Sequence, residues 1–266
     1  MKLTTFLFFL FFLGNGIALG KEEIWNYSNG NYQGHKFSSL NKIDTSNVNR
    51  LKKAWSYSNG FIPSIKNNSQ IIPIFTGTSI ITSSVDGYLI SISPSDGIEK
   101  WRIKLEKPVA KRGLVFLKEE KIILVTTREG VVAVDESSGK INTKFGKKGI
   151  YGNSLSLVSP IIYDQNIFVA FLKKIESFSL RDGEKNWTFD LNGARVWSGF
   201  SFDKETKTIA VVTSNLINLW GKTDISPDYS NSLILIDSKT GKLNCIFKDV
   251  KHDHWDLDMV GSPIFT

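Results

Sequence analysis

Cysteine is nearly absent from the sequence. Cys245 is the only cysteine among 266 residues, so no disulfide can form within the chain. Small secreted domains that cannot build a large core are usually held together by several disulfides. A chain of this length can bury a substantial core without them. The composition therefore excludes a disulfide-stapled scaffold.

Long apolar runs are also scarce. Phe6–Leu13 (FLFFLFFL) is unbroken, follows the basic start Met1-Lys2 and precedes the small residues around Ala18–Gly20. This run is too short to cross a bilayer, and the pattern is typical of a secretory signal peptide. We predict that residues 1–20 are a signal peptide and that residues 21–266 form the mature domain; the alternative is an uncleaved N-terminal anchor. No later segment is apolar enough to predict a transmembrane span, and export without disulfides favours the bacterial periplasm.

The sequence has no block of charge of one sign. Lysine and arginine number 33 against 26 aspartates and glutamates, which gives a formal net charge of +7 at pH 7. These charges alternate in sign along lysine-rich loops and indicate a solvated surface. Nothing in the pattern resembles a nucleic-acid-binding module, so we expect no nucleic-acid partner.

No long segment has helical periodicity. Short runs rich in Ile, Val, Phe and Tyr alternate with turn residues instead, which indicates strands. Asp86-Gly87 and Glu129-Gly130 join consecutive runs as hairpin turns. The predicted fold class is all-β, from runs that include Ser79–Ser83, Tyr88–Ile92, Ile122–Thr126, Val131–Val134, Ile167–Ala170, Ile209–Val212 and Leu233–Ile236.

A repeat organises these strands. A strand ending in Ser or Asp is followed by a glycine turn and then an aromatic residue, and the turn glycines are Gly97, Gly139, Gly183 and Gly241. A period near forty residues with four short strands per unit is typical of a β-propeller blade. The longer last step predicts an insertion around Leu216–Tyr229. The aromatic residue of each repeat is expected to pack between neighbouring blades; these residues are Trp101, Phe145, Trp187 and Phe247.

Four antiparallel four-stranded blades, with the start of a fifth, do not close a ring. An open propeller leaves unpaired strand edges, which are a liability for a monomer. The sequence therefore predicts the N-terminal part of a longer protein, truncated at the C-terminus.

The segment Lys251–Asp258 combines two of the three histidines with three aspartates and a tryptophan. If it is extended, one face carries acid/base groups and metal ligands, and the other carries Asp253, Trp255 and Leu257. The alternative is a polar, solvated loop between two strands. The residues on the first face are His252, His254, Asp256 and Asp258.

The order of several motifs resembles the pyrroloquinoline-quinone (PQQ) dependent dehydrogenases, eight-bladed propellers that oxidise alcohols and sugars. Nearly the whole mature chain takes part, and the last motif resembles the sugar- and polyol-oxidising branch. The matching segments are Trp25–Tyr27, Gly34–Ile43, Asn47-Val48, Leu51–Trp55, Arg112–Phe116, Val196–Gly199, Thr213–Asn215 and His252–Asp258.

The resemblance implies a role for each matching residue. Arg112 would bind a PQQ carboxylate, and Trp197 would form the floor under the quinone ring. Asn215 would bind Ca²⁺ or another oxygen-coordinated metal, Asp256 would be the catalytic base, and Asp258 would support the metal or the substrate. Asp253 is expected to hold the loop through backbone hydrogen bonds, and Trp255 to anchor it against the blade.

His252 and His254 are candidates for substrate contacts or for structural hydrogen bonds. The implied substrate is a sugar, polyol or alcohol, and the implied partner is an electron acceptor such as a quinone or a cytochrome.

Three departures from the family pattern keep a second function open. The sequence lacks the adjacent cysteines of the alcohol branch, has Pro108 where the glucose branch has a histidine, and has no acid in Ile167–Lys173, where an acidic metal ligand is expected. These departures favour a non-catalytic propeller that acts as a scaffold or binding module.

Overall fold

The computed structural model describes residues 24–59, 70–84, 86–214, 229–251, 253, 255 and 257–266. Its described residues are nearly all β, with one short 3-10 turn at Val48–Arg50. No helix among them has the length and apolar composition needed to cross a bilayer.

Sixteen strands form four antiparallel sheets of four strands each, and the strands of each sheet are consecutive in sequence. We call these sheets blades 1 to 4. Blade 1 contains β1 (Ile74–Phe75), β2 (Ile80–Ser83), β3 (Tyr88–Ile92) and β4 (Glu99–Lys104); blade 2 contains β5 (Val109–Leu117), β6 (Ile122–Thr127), β7 (Gly130–Asp135) and β8 (Ile150–Tyr151). Blade 3 contains β9 (Ile161–Tyr163), β10 (Asn166–Phe171), β11 (Lys174–Ser179) and β12 (Lys185–Asp190); blade 4 contains β13 (Phe200–Asp203), β14 (Thr208–Val212), β15 (Ser232–Asp237) and β16 (Leu243–Lys248).

Burial follows the position of a strand within its blade. All residues of β6 and β14 are buried, whereas most residues of β4, β12 and β16 are exposed or half-buried. Blades that stack face to face bury both sides of their middle strands, so those strands are apolar without alternation. The outer strands remain at the rim and keep polar residues.

Tryptophans dock neighbouring blades, as the repeat predicted. Trp187 packs on Gly241, where an added Cβ would lie 2.6 Å from the ring, and its Nε1 donates to the carbonyl oxygen of Ser238 at 3.0 Å. Trp101 repeats this arrangement on Gly139 and donates to the carbonyl oxygen of Glu136 at 2.9 Å. Both glycines have positive φ, which suits a residue without a Cβ.

The two phenylalanines of the repeat differ. Phe145 is buried at the junction between blades 2 and 3, in agreement with the prediction. Phe247 is 59% exposed, so its predicted packing between blades is wrong for the described chain. It lies on β16, the outer strand of the last described blade, and no further described blade covers that face.

An N-terminal segment links the inner strands of three blades. The carbonyl oxygens of Trp25, Asn26 and Tyr32 accept hydrogen bonds from the backbone amides of Phe75, Phe116 and Phe202, in blades 1, 2 and 4. Tyr27, in this segment, is buried and donates to the carbonyl oxygen of Phe200 at 3.2 Å. Burial raises the pKa of the Tyr27 hydroxyl, so it stays protonated as a donor. This segment holds the blades together on the side where the candidate site lies.

Candidate functional site

The structure brings Arg112 and Trp197 together, although 85 positions separate them in sequence. Arg112 lies on the inner strand β5, and Trp197 lies in the connection that enters blade 4. The guanidinium carbon of Arg112 is 5.2 Å from the centroid of the Trp197 ring. Arg112 Nη1 donates to the carbonyl oxygen of Trp197, and Nη2 donates to Gln70 Oε1 at 2.6 Å. The two residues predicted to bind one cofactor are therefore neighbours.

A β-bulge places Arg112 at this point. The pairing of β5 with β6 shifts register between Val109 and Leu114. Gly113 has φ +104, and a Cβ there would overlap Thr126 Oγ1. The Thr126 hydroxyl donates to the Gly113 carbonyl oxygen at 3.1 Å and also to that of Arg112. Bulges re-aim side chains near functional sites, and this one requires the glycine that follows the arginine.

The charge of Arg112 has no acidic partner among the residues that the structure describes. Its described acceptors are a backbone carbonyl and the amide oxygen of Gln70, both neutral. Half-burial lowers the pKa of the Arg112 guanidinium, but an arginine remains protonated in proteins. A half-buried cation with neutral partners is suited to bind an anion that reaches it. This geometry fits a carboxylate-bearing planar group placed against Trp197.

A small cleft adjoins Arg112 and is lined with polar side chains. Ser28, Asn29, Ser198 and Ser262 line it together with the aromatic rings of Tyr27 and Phe200. Asn29 Nδ2 donates to Ser262 Oγ at 3.1 Å, which ties the N-terminal segment to the C-terminal residues. Hydroxyl and amide groups of this kind can bind the oxygen atoms of a polar ligand.

Asp258 contacts the edge of the Trp197 ring. Trp197 Nε1 donates to Asp258 Oδ2 at 2.9 Å. The next residue in each segment adds a second link, because Ser198 Oγ donates to the carbonyl oxygen of Met259 at 2.9 Å. The C-terminal segment is thus fixed against the connection that carries Trp197.

Asp253 organises the segment before Asp258, as predicted. Its Oδ1 accepts from the amide of Trp255 at 2.9 Å, and its Oδ2 accepts from that of Leu257 at 2.7 Å. Asn231 Nδ2 donates to Asp253 Oδ2 at 2.9 Å and to the carbonyl oxygen of Leu257 at 3.2 Å. The carboxylate therefore folds the chain back on itself.

This folded-back backbone corrects one prediction. Trp255 was expected to anchor the loop against the blade, but it is 76% exposed. The two-face pattern assumed an extended segment. Leu257, on the same predicted face as Trp255, is also exposed, at 55%.

Four predicted site residues lie outside the described residues: Asn215, His252, His254 and Asp256. Their roles remain predictions. Within the described part of the chain, no group of three or more His, Cys, Asp or Glu side chains could hold a metal ion. The described residues alone do not make up a metal site.

Two residues that the sequence did not single out contribute to this region. Gln70 accepts from Arg112, and Asn231 holds the loop that precedes Asp258. Asn231 is fully buried and has φ +46, a conformation that asparagine tolerates better than most residues. Its position at the start of a strand could have suggested a turn, whereas nothing near Gln70 indicated a contact with Arg112.

Comparison with known proteins decides the family. The family model described as PQQ "Glucose/ethanol/alcohol dehydrogenase, beta-propeller domain" matches residues 25–156 and 173–266. The chain belongs to this family. The unmatched residues include Ile167–Phe171 and Leu172, in the stretch where the expected acidic metal ligand is missing.

Relatives of this PQQ-family chain are longer. It is 25% identical to quinoprotein glucose dehydrogenase A of Acinetobacter calcoaceticus, over 91% of this chain and 40% of the relative. It is 22% identical to quinoprotein glucose dehydrogenase of Escherichia coli (strain K12), over 91% of this chain and 39% of the relative. The chain thus spans less than half the length of these curated relatives.

Solved structures confirm the propeller fold. A europium-containing methanol dehydrogenase superimposes with a TM-score of 0.72 at 18% identity, covering 91% of this chain and 51% of the other. Quinohemoprotein alcohol dehydrogenase from Comamonas testosteroni gives 0.72 at 19% identity, covering 90% and 43%. The predicted all-β propeller with four-stranded blades is therefore confirmed.

Proposed function

We propose that this chain is the N-terminal part of a periplasmic quinoprotein dehydrogenase that oxidises a sugar, polyol or alcohol with PQQ as the electron acceptor. The contact between Arg112 and Trp197 is the observation that carries the proposal. It joins a half-buried cation with a flat aromatic surface, and both come from motifs that resemble the family's cofactor-binding segments.

Arg112 binds a carboxylate of the cofactor. Its two described acceptors are neutral and can be exchanged for carboxylate oxygens, because a guanidinium can offer two parallel N–H donors to one carboxylate. A carboxylate is the stronger acceptor, and the half-buried position reduces screening by water. The exchange is therefore favourable.

Trp197 supports the cofactor ring. A tricyclic ligand gains contact area and favourable stacking on an indole face. The Arg112 guanidinium lies over this ring, so the arginine must shift toward the ring edge when a flat ligand stacks there. Arg112 and Trp197 together then fix the orientation of the ligand.

Asp256 acts as the general base and takes the proton of the substrate hydroxyl on its carboxylate. When bound, PQQ supplies the quinone that accepts the hydride from the carbon that bears this hydroxyl. His252 and His254 contact the substrate or hold the loop. The amides of Trp255 and Leu257, the described neighbours of Asp256 in sequence, are bound by Asp253.

Asn215 and Asp258 bind a metal ion, either Ca²⁺ or another oxygen-coordinated metal. Hard oxygen donors suit such an ion. This part rests on the family resemblance, and no step of the proposed mechanism depends on it.

The relatives named as glucose dehydrogenases favour a sugar as substrate. The reaction requires an electron acceptor, and we propose a membrane quinone or a cytochrome. Residues 1–20 would direct the protein to the periplasm and be removed.

A scaffold or binding module is the second candidate function. Two observations favour the scaffold. The sequence has no acid in Ile167–Lys173, and the family model does not match residues 157–172. A scaffold, however, needs no half-buried arginine over the ring of a half-buried tryptophan, so we place the enzyme first.

Titration of the complete protein with PQQ in the presence of Ca²⁺ tests the proposal. We expect Arg112→Ala and Trp197→Ala each to weaken binding by about 10- to 100-fold, the range for losing a hydrogen bond to a charged group or a buried ring contact. Arg102→Ala is the matched control, because Arg102 also lies over an aromatic ring, that of Tyr88, but on blade 1. Unchanged affinity in both site variants would place the cofactor elsewhere, and no binding by the complete wild-type protein would favour the scaffold.

A further inference from the structure

Trp197 differs from the docking tryptophans in what its indole binds. Trp101 and Trp187 donate Nε1–H to backbone carbonyl oxygens of the next blade. Trp197 donates to a carboxylate oxygen, Asp258 Oδ2, at 2.9 Å. The ring of Trp197 is thus held by a specific side chain and not by the repeat.

The position of Asp258 is fixed on both sides. Before it, Leu257 has its amide bound by Asp253 at 2.7 Å and its carbonyl oxygen bound by Asn231 at 3.2 Å. After it, the Met259 carbonyl oxygen accepts from Ser198 Oγ at 2.9 Å. Because the flanking backbone is held, the Asp258 carboxylate has little freedom to leave the indole.

Trp197 is held at two ends as a consequence. Its backbone carbonyl accepts from Arg112, and its indole nitrogen donates to Asp258. A tryptophan side chain has two rotatable torsions, and a hydrogen bond at the far end of the ring restricts both. The plane of the indole is therefore set before any ligand arrives, which reduces the entropy lost on binding.

We propose that Asp258 is a positioning residue: it sets the plane of the Trp197 indole for a flat, carboxylate-bearing ligand. The identity of that ligand rests on the proposed function. This role is additional to the metal or substrate role that the family resemblance implied for Asp258. It depends on the carboxylate as a hydrogen-bond acceptor and not on its charge.

The first measurement follows the contact itself, without any ligand. The chain has seven tryptophans, and ¹⁵N labelling of their indoles gives separate N–H signals. Trp197→Phe assigns the Trp197 signal by its loss. Asp258→Ala should shift that signal upfield and leave those of Trp101 and Trp187 in place, and Asp258→Asn should largely restore it because its amide oxygen can still accept.

The second measurement follows the consequence, with PQQ as the probe. Asp258→Ala should weaken PQQ binding by about tenfold, and Asp258→Asn by much less. In the Trp197→Phe background, where the donor is gone, Asp258→Ala should have little additional effect. Asp203→Ala, which removes an exposed turn carboxylate of blade 4, is the matched control.

The outcomes separate the two proposals. A Trp197 signal that does not move in Asp258→Ala overturns the positioning role. An Asp258→Asn variant that is as impaired as Asp258→Ala also overturns it, because the charge of the carboxylate would then matter, as it does for a metal ligand. A shifted signal with unchanged PQQ affinity also overturns it. If the wild-type chain binds no PQQ, the proposed function fails, and the positioning role is decided by the signals of the Asn and Ala variants alone.

Discussion

Trp187 and Trp197 lie close in sequence but belong to two differently built regions. Trp187 packs on a glycine turn of the next blade, and Trp101 repeats the same contact with the same kind of acceptor. Trp197 lies against the side chains of Arg112 and Asp258 and not against a glycine turn of the repeat. The blade junctions are produced by a repeat, whereas the site is produced by residues that occur once.

This difference separates stability from binding. Residues at a junction are needed wherever two blades meet, so their loss is expected to cost folding free energy and to leave ligand affinity unchanged in the folded fraction. Residues at the site stabilise a local arrangement and should affect affinity or turnover more than folding. Substitutions in the two regions test this separation.

Turnover should depend most strongly on Asp256. General-base catalysis typically contributes 10²–10⁴-fold in rate. Asp256→Asn is therefore expected to lower turnover by about 10²-fold or more in the complete protein, with PQQ binding largely intact. PQQ- and Ca²⁺-dependent dye reduction over a panel of sugars and alcohols measures this effect.

A further variant makes the Asp256 test decisive. Asp253→Asn should lower mainly stability, because Asp253 binds the amides of Trp255 and Leu257. Turnover that survives Asp256→Asn within a few-fold would remove Asp256 from the mechanism.

Positive-φ glycines of both regions should contribute to stability, but only Gly113, in the site, should affect PQQ binding. Gly113→Ala forces φ +104 on alanine and overlaps Thr126, so we expect a loss of about 3 kcal/mol in the free energy of unfolding and weaker PQQ binding. Gly241→Ala, at φ +69 and against the Trp187 ring, should cost about 2 kcal/mol without changing PQQ affinity. Denaturant unfolding and PQQ titration measure the two quantities.

Gly261→Ala is the control for these glycines, because a Cβ there meets no atom within 4 Å. It should leave stability unchanged. Equal losses of PQQ affinity in the folded fractions of the Gly113 and Gly241 variants would show that the junctions and the site are not separable.

The two regions also differ in how well the sequence predicts them. Spacing of Gly97, Gly139, Gly183 and Gly241 predicts the blades and the docking tryptophans, because each repeat supplies an independent copy of the same contact. Phe247 is the exception, since its exposure depends on what covers β16 and not on its own repeat.

At the site, pairing of Arg112 with Trp197 could be predicted only through the family resemblance. Gln70 and Asn231 could not be predicted, because their contacts depend on where distant loops meet. The two-face interpretation of Lys251–Asp258 failed for Trp255 because a single carboxylate, Asp253, reorganised the local backbone. Short-range periodicity cannot predict such a side-chain-to-backbone bond.

The smallest expected effect is a pH dependence of the junction turns. Asp237 accepts from the amide and the hydroxyl of Thr240, each at 2.7 Å, in the turn that presents Gly241 to Trp187. Asp135 accepts in the same way from Ser137 and Ser138 in the turn of Gly139. These hydrogen bonds hold the pKa of each carboxyl below its ordinary value.

A folded-state pKa below the unfolded value, about 3.9 for aspartate, means that the unfolded chain takes up the proton first as the pH falls. The stabilisation is therefore complete above that value and is lost as the pH falls through the lower, folded-state pKa. Both turns are exposed to solvent, so we expect only a small decrease in the thermal midpoint between pH 5 and pH 3 from each. Asp237→Asn and Asp135→Asn should lower the thermal midpoint at pH 7 and make this acidic decrease smaller. Asp258→Asn should change the midpoint less, because its amide oxygen is still an acceptor for Trp197. An acidic decrease that is as steep in the two turn variants as in the wild type would show that these carboxylates do not hold the junction turns.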